Sequence, residues 1–278
     1  MTDPDLGSAV QRVILGAELL AARTSAGLLT TAATAALGWH AGKLTRVEQG
    51  AVPVRDADLD QCFRIYQIPE SEQQRLRDLA ALGRAKLPPS RVQEWAARYV
   101  HLISGAASLK LFSESSWPGS VQTVDYARAQ LGKSATVTLV DVDRMAEERW
   151  ERVERLKSTG RPHLWLIVGE GALQKEVGGP KTLRGQLELI RDLHNLPNVD
   201  IQVIPNDAGT HASDNISFSV INVIEGLPGI VYVGHLSGAD YLGGEHVRTY
   251  NAVFDNLRAT ALSPERTIDL INRRIDEL

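Results

Sequence analysis

The sequence predicts an α+β protein of two domains, an all-helical domain over residues 1–85 and a mixed α/β domain over residues 86–278. Three observations support this fold class. Residues 6–82 are rich in alanine and leucine, and their apolar positions recur at three- and four-residue spacing, which is typical of amphipathic helices. The Lys-Leu-Pro-Pro-Ser run at 86–90 then interrupts the helical pattern. From residue 161 onward, short β-branched runs alternate with helical segments, which predicts a mixed sheet of about four strands.

Short turns divide the N-terminal domain into about five helices. They are expected over residues 8–25, 30–37, 41–48, 56–66 and 70–84. Residues 86–160 are interpreted as a mainly helical linker region with helices at 92–102, 123–131 and 142–158 and an irregular Ser- and Gly-rich segment at 104–120. In the remaining chain we expect strands at 163–168, 199–204, 216–223 and 230–235, and helices at 183–193, at 244–259 and after the N-cap residue Ser263.

Composition excludes several classes of protein. Hydrophobic residues make up 43% of the chain and charged residues 23%, with a net charge of −4, which is ordinary for a globular protein. No run of about 18 apolar residues is present, and the first residues lack the basic start and apolar core of a signal peptide. Cys62 is the only cysteine, so the chain forms no internal disulfide and no cysteine-rich metal site. A cytoplasmic protein without a metal or cofactor is therefore expected.

The spacing between residues 26 and 50 predicts a helix-turn-helix. Gly27 is expected to end the first helix in a left-handed cap, and Gly38 to form the tight turn between the next two helices. Thr30 is the expected N-cap of the second helix. The small and apolar positions expected at the helix contacts are Ala33, Leu37, Leu44 and Val47.

This stretch resembles the lambda-repressor-like (XRE-type) helix-turn-helix family. The matching positions are Gly27, Leu28, Leu37, Gly38, Lys43, Leu44, Arg46, Val47, Glu48 and Gly50. Further along, residues 118–128, 177–179, 196–205, 231–233 and 261–265 are similar to segments of actinobacterial regulators that carry an uncharacterised C-terminal domain. The resemblance covers nearly the whole chain, and it implies a transcription regulator, often one that binds a small partner protein.

The family's docking geometry places the start of the second helix of the pair in the major groove. The candidate DNA-contacting residues are Thr30, Thr31, Trp39, His40, Ala41, Lys43 and Arg46. Lys43 is expected to contact guanine or phosphate, His40 a base or a phosphate, and Ala41 a thymine methyl group. Trp39 could instead be a packed residue of the turn. Arg46 and Glu48 could instead form structural ion pairs with neighbouring helices. Gly42 brings no side chain.

The helix-turn-helix region carries little net positive charge. Residues 10–53 carry four basic and two acidic side chains, and the first 80 residues have a balance of about −2. Two hypotheses of different class therefore stay open beside DNA binding. In one, the helix-turn-helix is vestigial and the protein is an enzyme or ligand-binding protein of a biosynthetic pathway. In the other, the C-terminal domain is an interaction module that captures a small protein.

The C-terminal domain lacks the sequence signatures of common catalytic sites. Polar and aromatic side chains near its expected strand ends are the candidate ligand-binding residues, namely Trp117, Tyr126, Trp165, Glu170, His211, Asp214 and His235. Core packing is the alternative for the aromatic residues, and a solvated loop is the alternative for His211 and Asp214. The sequence thus predicts a homodimeric regulator that binds specific double-stranded DNA and responds to a small ligand or partner protein.

Overall fold

The computed structural model describes residues 8–84, 99, 100, 102, 103, 105–159, 162–223, 229–236, 238–242 and 245–278. The chain divides into two compact units. The first comprises Met1–Ala106 with Asn222–Gly229, and the second comprises Ala107–Ile221 with Ile230–Leu278.

The first unit contains the five expected helices. They are α1 (Ser8–Ser25), α2 (Thr30–Leu37), α3 (Ala41–Glu48), α4 (Asp56–Ile65) and α5 (Glu70–Arg84). The predicted bounds are confirmed for four of them, and α4 ends one residue earlier than expected. Helix α1 packs against α3 and α5, and the leucines between the helices are fully buried. Gly50 permits the close approach of α1, because a Cβ atom there would lie 2.6 Å from the Cα atom of Val13.

The second unit is built on a six-stranded sheet of order β3-β2-β1-β4-β5-β6. Its strands are β1 (Ser108–Ser113), β2 (His163–Gly169), β3 (Val199–Ile204), β4 (Phe218–Asn222), β5 (Ile230–His235) and β6 (Gly238–Leu242). Strands β1, β2 and β3 are parallel, whereas β5 is antiparallel to both β4 and β6. The backbone N–H of Glu114 donates to Ser217 Oγ, so the end of β1 lies beside the start of β4 and these two neighbours run in opposite directions.

In the described part of the second unit, six α-helices accompany the sheet. They are α6 (Val124–Leu131), α7 (Val142–Thr159), α8 (Gly171–Gln174), α9 (Pro180–His194), α10 (Glu245–Thr260) and α11 (Pro264–Glu277). Phe254 and Leu257 of α10 pack in a buried cluster with Phe112, Phe218 and Val231 of the sheet. The predicted start of the last helix is confirmed, because Ser263 Oγ accepts a hydrogen bond from the backbone N–H of Arg266.

The α+β fold class is confirmed, and two details of the prediction are wrong. The sheet has six strands where about four were expected, since β1 lies inside the segment interpreted as irregular and β6 was not recognised. Thr30 is the first residue of α2 and does not cap it, because Leu29 occupies the N-cap position and makes no side-chain cap hydrogen bond. The helix expected at 92–102 lies mostly outside the described residues.

No single helix in the described part of the chain has the length and apolar content needed to cross a membrane. Residues 11–25 and 30–37 reach that composition only as a pair, and the pair is bent by 105°.

Candidate nucleic-acid interface and strand-end cluster

The turn between α2 and α3 depends on Gly38. Its φ of +66° lies in the left-handed region, where glycine is favoured, and its backbone N–H donates to the carbonyl of Ala35. The next N–H, that of Trp39, donates to the carbonyl of Thr34 at 2.9 Å. These bonds end α2 at Leu37. Only three residues separate it from α3, which is the short turn that a helix-turn-helix requires.

The first turn of α3 is capped by a histidine. His40 is exposed and has extended backbone angles, and its Nδ1 atom accepts a hydrogen bond of 3.0 Å from the backbone N–H of Lys43. Ala41 and Gly42 follow and are also exposed. The start of α3 therefore presents a smooth surface with one imidazole beside it.

Lys43 is engaged with its own domain. Its Nζ atom lies 2.8 Å from Asp58 Oδ1 and 4.1 Å from the centre of the Trp39 ring. Trp39 itself is only 9% exposed, which leaves it little area for contact with DNA. Both residues were candidate DNA contacts; in this structure Trp39 is buried beneath the Lys43 ammonium, and Lys43 is paired with Asp58 of α4.

Glu48, the acidic residue of the Arg-Val-Glu-Gln-Gly run, forms a buried ion pair with Arg23. Arg23 donates through Nε to Oε1 at 2.5 Å and through Nη2 to Oε2 at 3.1 Å, and each side chain is 10% exposed. A third donor of Arg23 reaches the carbonyl of Leu28. The hydrogen bonds with Glu48 raise the pKa of the Arg23 guanidinium. Glu48 therefore joins the end of α3 to α1, which favours the structural interpretation of this residue.

Three exposed arginines on or beside α3 and α4 form no ion pair with any described residue. They are Arg46 on α3, Arg55 at the N-cap of α4, and Arg64 on α4. Thr30 and Thr31 are exposed at the start of α2. Other acidic residues of this unit pair with arginines of α5, as Asp56 does with Arg84 and Asp60 with Arg77. The sequence analysis did not include Arg55 among the candidate DNA contacts. The signal that could have identified it is its position directly before the acidic first turn of α4.

In the second unit, polar side chains meet where parallel strands end. We call Glu114, Glu170, His211 and Asp214 the strand-end cluster. Glu114 follows β1 and Glu170 follows β2, and His211 and Asp214 lie in the connection from β3 to β4. A Cβ atom on Gly169 would lie only 2.3 Å from the carbonyl oxygen of Glu114, so the chain after β1 crosses directly over the end of β2.

His211 is the centre of the strand-end cluster. Its side chain is 5% exposed, with Nε2 3.4 Å from Glu114 Oε2 and Nδ1 3.3 Å from Asp214 Oδ1. Asp214 also accepts the backbone N–H of His211, and the ring of Phe112 meets the imidazole edge to face. Glu170 holds the start of the segment after β3, because its Oε2 accepts a hydrogen bond from the backbone N–H of Asn206. The arrangement offers partly exposed carboxylates, held by a buried imidazole, to a ligand with hydrogen-bond donors or positive charge.

Comparison with known families identifies both units. Residues 14–76 match a family described as a helix-turn-helix domain. Residues 96–273 match a family described as a domain of unknown function, DUF5753. The chain belongs to the DUF5753 family. No curated protein and no solved structure matches it. The helix-turn-helix and the DUF5753 domain follow each other in the order that the resemblance implied.

The DUF5753 domain brings together only some of the candidate ligand residues. Glu170, His211 and Asp214 lie at the same edge of the sheet, whereas Trp117 and Tyr126 are fully buried, with the backbone N–H of Trp117 donating to Tyr126 Oη. Burial raises the pKa of the Tyr126 hydroxyl. The two residues therefore contribute to the core of the domain.

The other two candidates of the DUF5753 domain lie apart from this pair. Trp165 packs against Phe254, and its Nε1 atom donates to Gln202. His235 is exposed at the end of β5.

Glu114 was missed in the sequence because β1 was not recognised, and a carboxylate at a strand end is informative only once the strand is known. Among the described residues of the DUF5753 protein, no group of three or more histidine, cysteine or acidic side chains is arranged to hold a metal ion.

Proposed function

We propose that the protein is a sequence-specific DNA-binding transcription regulator controlled through its DUF5753 domain by a small ligand or a partner protein. The helix-turn-helix match over residues 14–76 supports DNA binding. The observation that carries the proposal is the exposed side of α3, where His40, Ala41 and Arg46 are accessible. Such a regulator acts on chromosomal DNA and therefore in the cytoplasm of a bacterial cell.

Helix α3 docks in the major groove in this proposal, with its first turn towards the bases. Arg46 contacts a phosphate, and the hydroxyls of Thr30 and Thr31 at the start of α2 contact the backbone beside it. Arg46 suits this role because no described carboxylate neutralises it. Arg55, between α3 and α4, adds a second free cation.

The protein binds DNA as a homodimer in this proposal. One domain with a handful of phosphate contacts has modest affinity, and a two-fold dimer doubles the contacts. Helix-turn-helix dimers place their two recognition helices in half-sites about one helical turn apart. The operator is therefore expected to be a palindrome.

Control through the DUF5753 domain is placed at the strand-end cluster. Ligands of sheets with parallel strands bind preferentially outside the carboxyl ends of those strands, where loops converge. Glu114, Glu170 and Asp214 supply acceptors there, and the buried imidazole of His211 lies between two of these carboxylates and positions them. A small ligand with amine or hydroxyl donors, or a basic segment of a partner protein, fits this chemistry.

The test is a sequence selection with the full-length protein, followed by affinity measurements over a range of salt concentrations. We expect Arg46→Ala to lower affinity for the selected site about equally across sequence variants and to reduce the salt slope by about 1 per half-site. Arg273→Ala, which removes an exposed arginine of α11, is the matched control and should leave binding unchanged. Failure of any sequence to exceed non-specific affinity at ~100 mM salt would refute the proposal.

One observation favours the alternative of a vestigial helix-turn-helix on a repurposed enzyme or ligand-binding protein. Lys43, the lysine at the start of α3, is held by Asp58, which removes a cation that DNA binding would use. In that case the selection enriches no sequence and Arg46→Ala has no effect.

A further inference from the structure

We infer that His40 contacts a base of the operator and that it donates a hydrogen bond from Nε2 to a guanine. The inference rests on the proposed function, because it assigns the base specificity of the same α3 surface. Three features of the first turn of α3 support it, namely the tautomer of the imidazole, its exposure, and the lack of competing donors beside it.

The cap determines the tautomer. Nδ1 of His40 accepts the backbone N–H of Lys43 at 3.0 Å, so that nitrogen carries a lone pair. A neutral imidazole has one acceptor nitrogen and one donor nitrogen, and the proton is therefore on Nε2. The helix cap thus fixes His40 as a hydrogen-bond donor towards solvent.

The neighbouring residues leave this donor accessible. Ala41 and Gly42 are exposed and bring no polar side-chain atom. The ammonium of Lys43 is drawn towards Asp58 and the Trp39 ring. A Cβ atom at position 42 would lie 3.4 Å from Nδ1 of His40, so the imidazole lies over Gly42 against the surface of the helix. Of the two side-chain donors at this end of α3, His40 is therefore the one that is not paired with a carboxylate of the described residues.

A single donor in the major groove selects among the bases. Guanine presents two adjacent acceptors, O6 and N7, without a donor between them. Adenine presents N7 beside the N6 amino donor, and cytosine presents an amino donor, so both oppose an N–H group more strongly. Thymine offers O4 beside its methyl group. Guanine is therefore the base that best accepts the Nε2 proton.

The experiment compares wild type with His40→Ser and His40→Asn by sequence selection and by affinity for operators that carry each base at each position. Serine and asparagine are both good N-caps and can accept the Lys43 N–H, so α3 is retained. Serine is too short to reach a base, and an asparagine that caps α3 through Oδ1 cannot use the same oxygen in the two hydrogen bonds that pair an amide with adenine. Thermal unfolding midpoints confirm that the cap is preserved in each variant.

We expect wild type to prefer guanine at one position of each half-site by about five- to tenfold, since one contact gives less than a bidentate pair. His40→Ser and His40→Asn both remove the imidazole N–H, so each should abolish that preference and leave the other positions unchanged. An equal loss of affinity on all sequences indicates a phosphate contact and overturns the inference, as does an unchanged base preference. If wild type enriches no sequence at all, the proposed function itself has failed.

Discussion

Lys43 and Arg46 lie on the same eight-residue helix, yet their side chains have different surroundings. Lys43 is paired with Asp58 and lies over Trp39, whereas Arg46 is exposed. A cation that already has a carboxylate partner must lose that partner before it can bind a phosphate, so its contribution to affinity is reduced. Residue identity alone therefore overstates what Lys43 brings to DNA.

Release of Lys43 should strengthen DNA binding. Asp58→Asn keeps the shape of the side chain and removes the charge that holds the ammonium, so Lys43 becomes available to phosphate. We expect a higher affinity and a salt slope steeper by up to about 1 per half-site. Titrations of the selected operator at several salt concentrations measure both quantities.

Asp60→Asn is the matched control for this prediction, because Asp60 is also on α4 and also ion-paired, with Arg77 of α5. It removes the same charge without releasing Lys43. Equal effects of the two variants would attribute the gain to overall charge and contradict a specific role for the Lys43–Asp58 pair.

At the residue level, the sequence predicted the turn and core positions of the helix-turn-helix but not its ion pairs. The helix-turn-helix positions, including Gly38 and the buried Ala33, follow from local rules of turns and helix contacts. The partners of Lys43 and Arg23 lie 15 and 25 residues away in the chain, and they are decided by how the helices pack. The spacing of residues in the sequence does not predict such long-range contacts.

At the level of elements, the helices were more predictable than the strands. The helices of the first unit were predicted correctly because the spacing of their apolar residues and the turns between them depend on residues close together in the sequence. Strands β1 and β6 were missed because β1 is flanked by serines and glycine, and β6 is the short sequence Gly-Ala-Asp-Tyr-Leu. Both gain their strand conformation from pairing within the sheet, which is a tertiary effect. Glu114 was missed for the same reason.

The end of β2 is sensitive to a small substitution. Gly169→Ala would place a Cβ atom 2.3 Å from the carbonyl oxygen of Glu114, and a backbone atom cannot yield as a flexible side chain does. We expect the free energy of unfolding to fall by about 1–3 kcal/mol, as measured by urea unfolding. The displaced Glu114 should also separate from His211.

Gly171→Ala serves as the control, because its Cβ atom would meet nothing closer than 3.7 Å. It should change stability much less than Gly169→Ala. Equal stability of the two variants would show that the chain after β1 does not hold the strand-end cluster rigidly.

At the scale of the whole molecule, net charge is a weak guide to this protein. The chain carries −4 overall, but the acidic residues of α4 and α5 are largely paired with basic residues of the same unit, three with arginines and Asp58 with Lys43. In the proposed complex, DNA contacts the surface of one helix and its neighbours, so the distribution of unpaired cations matters more than their sum. The sequence count correctly described the total and missed this distribution, because pairing is a property of the fold.

The stoichiometry on DNA tests the regulator as an assembly. One α3 with few unpaired cations gives a weak contact, so specific binding should require two chains on a palindrome whose half-sites are about one helical turn apart. Sedimentation of the full-length protein with the selected operator should give two chains per duplex. Insertion of about five base pairs between the half-sites turns them to opposite faces of the duplex and should reduce affinity towards that of a single half-site. A 1:1 complex whose affinity is unchanged by the insertion would mean that one chain recognises DNA alone, and the second copy would then have no part in binding.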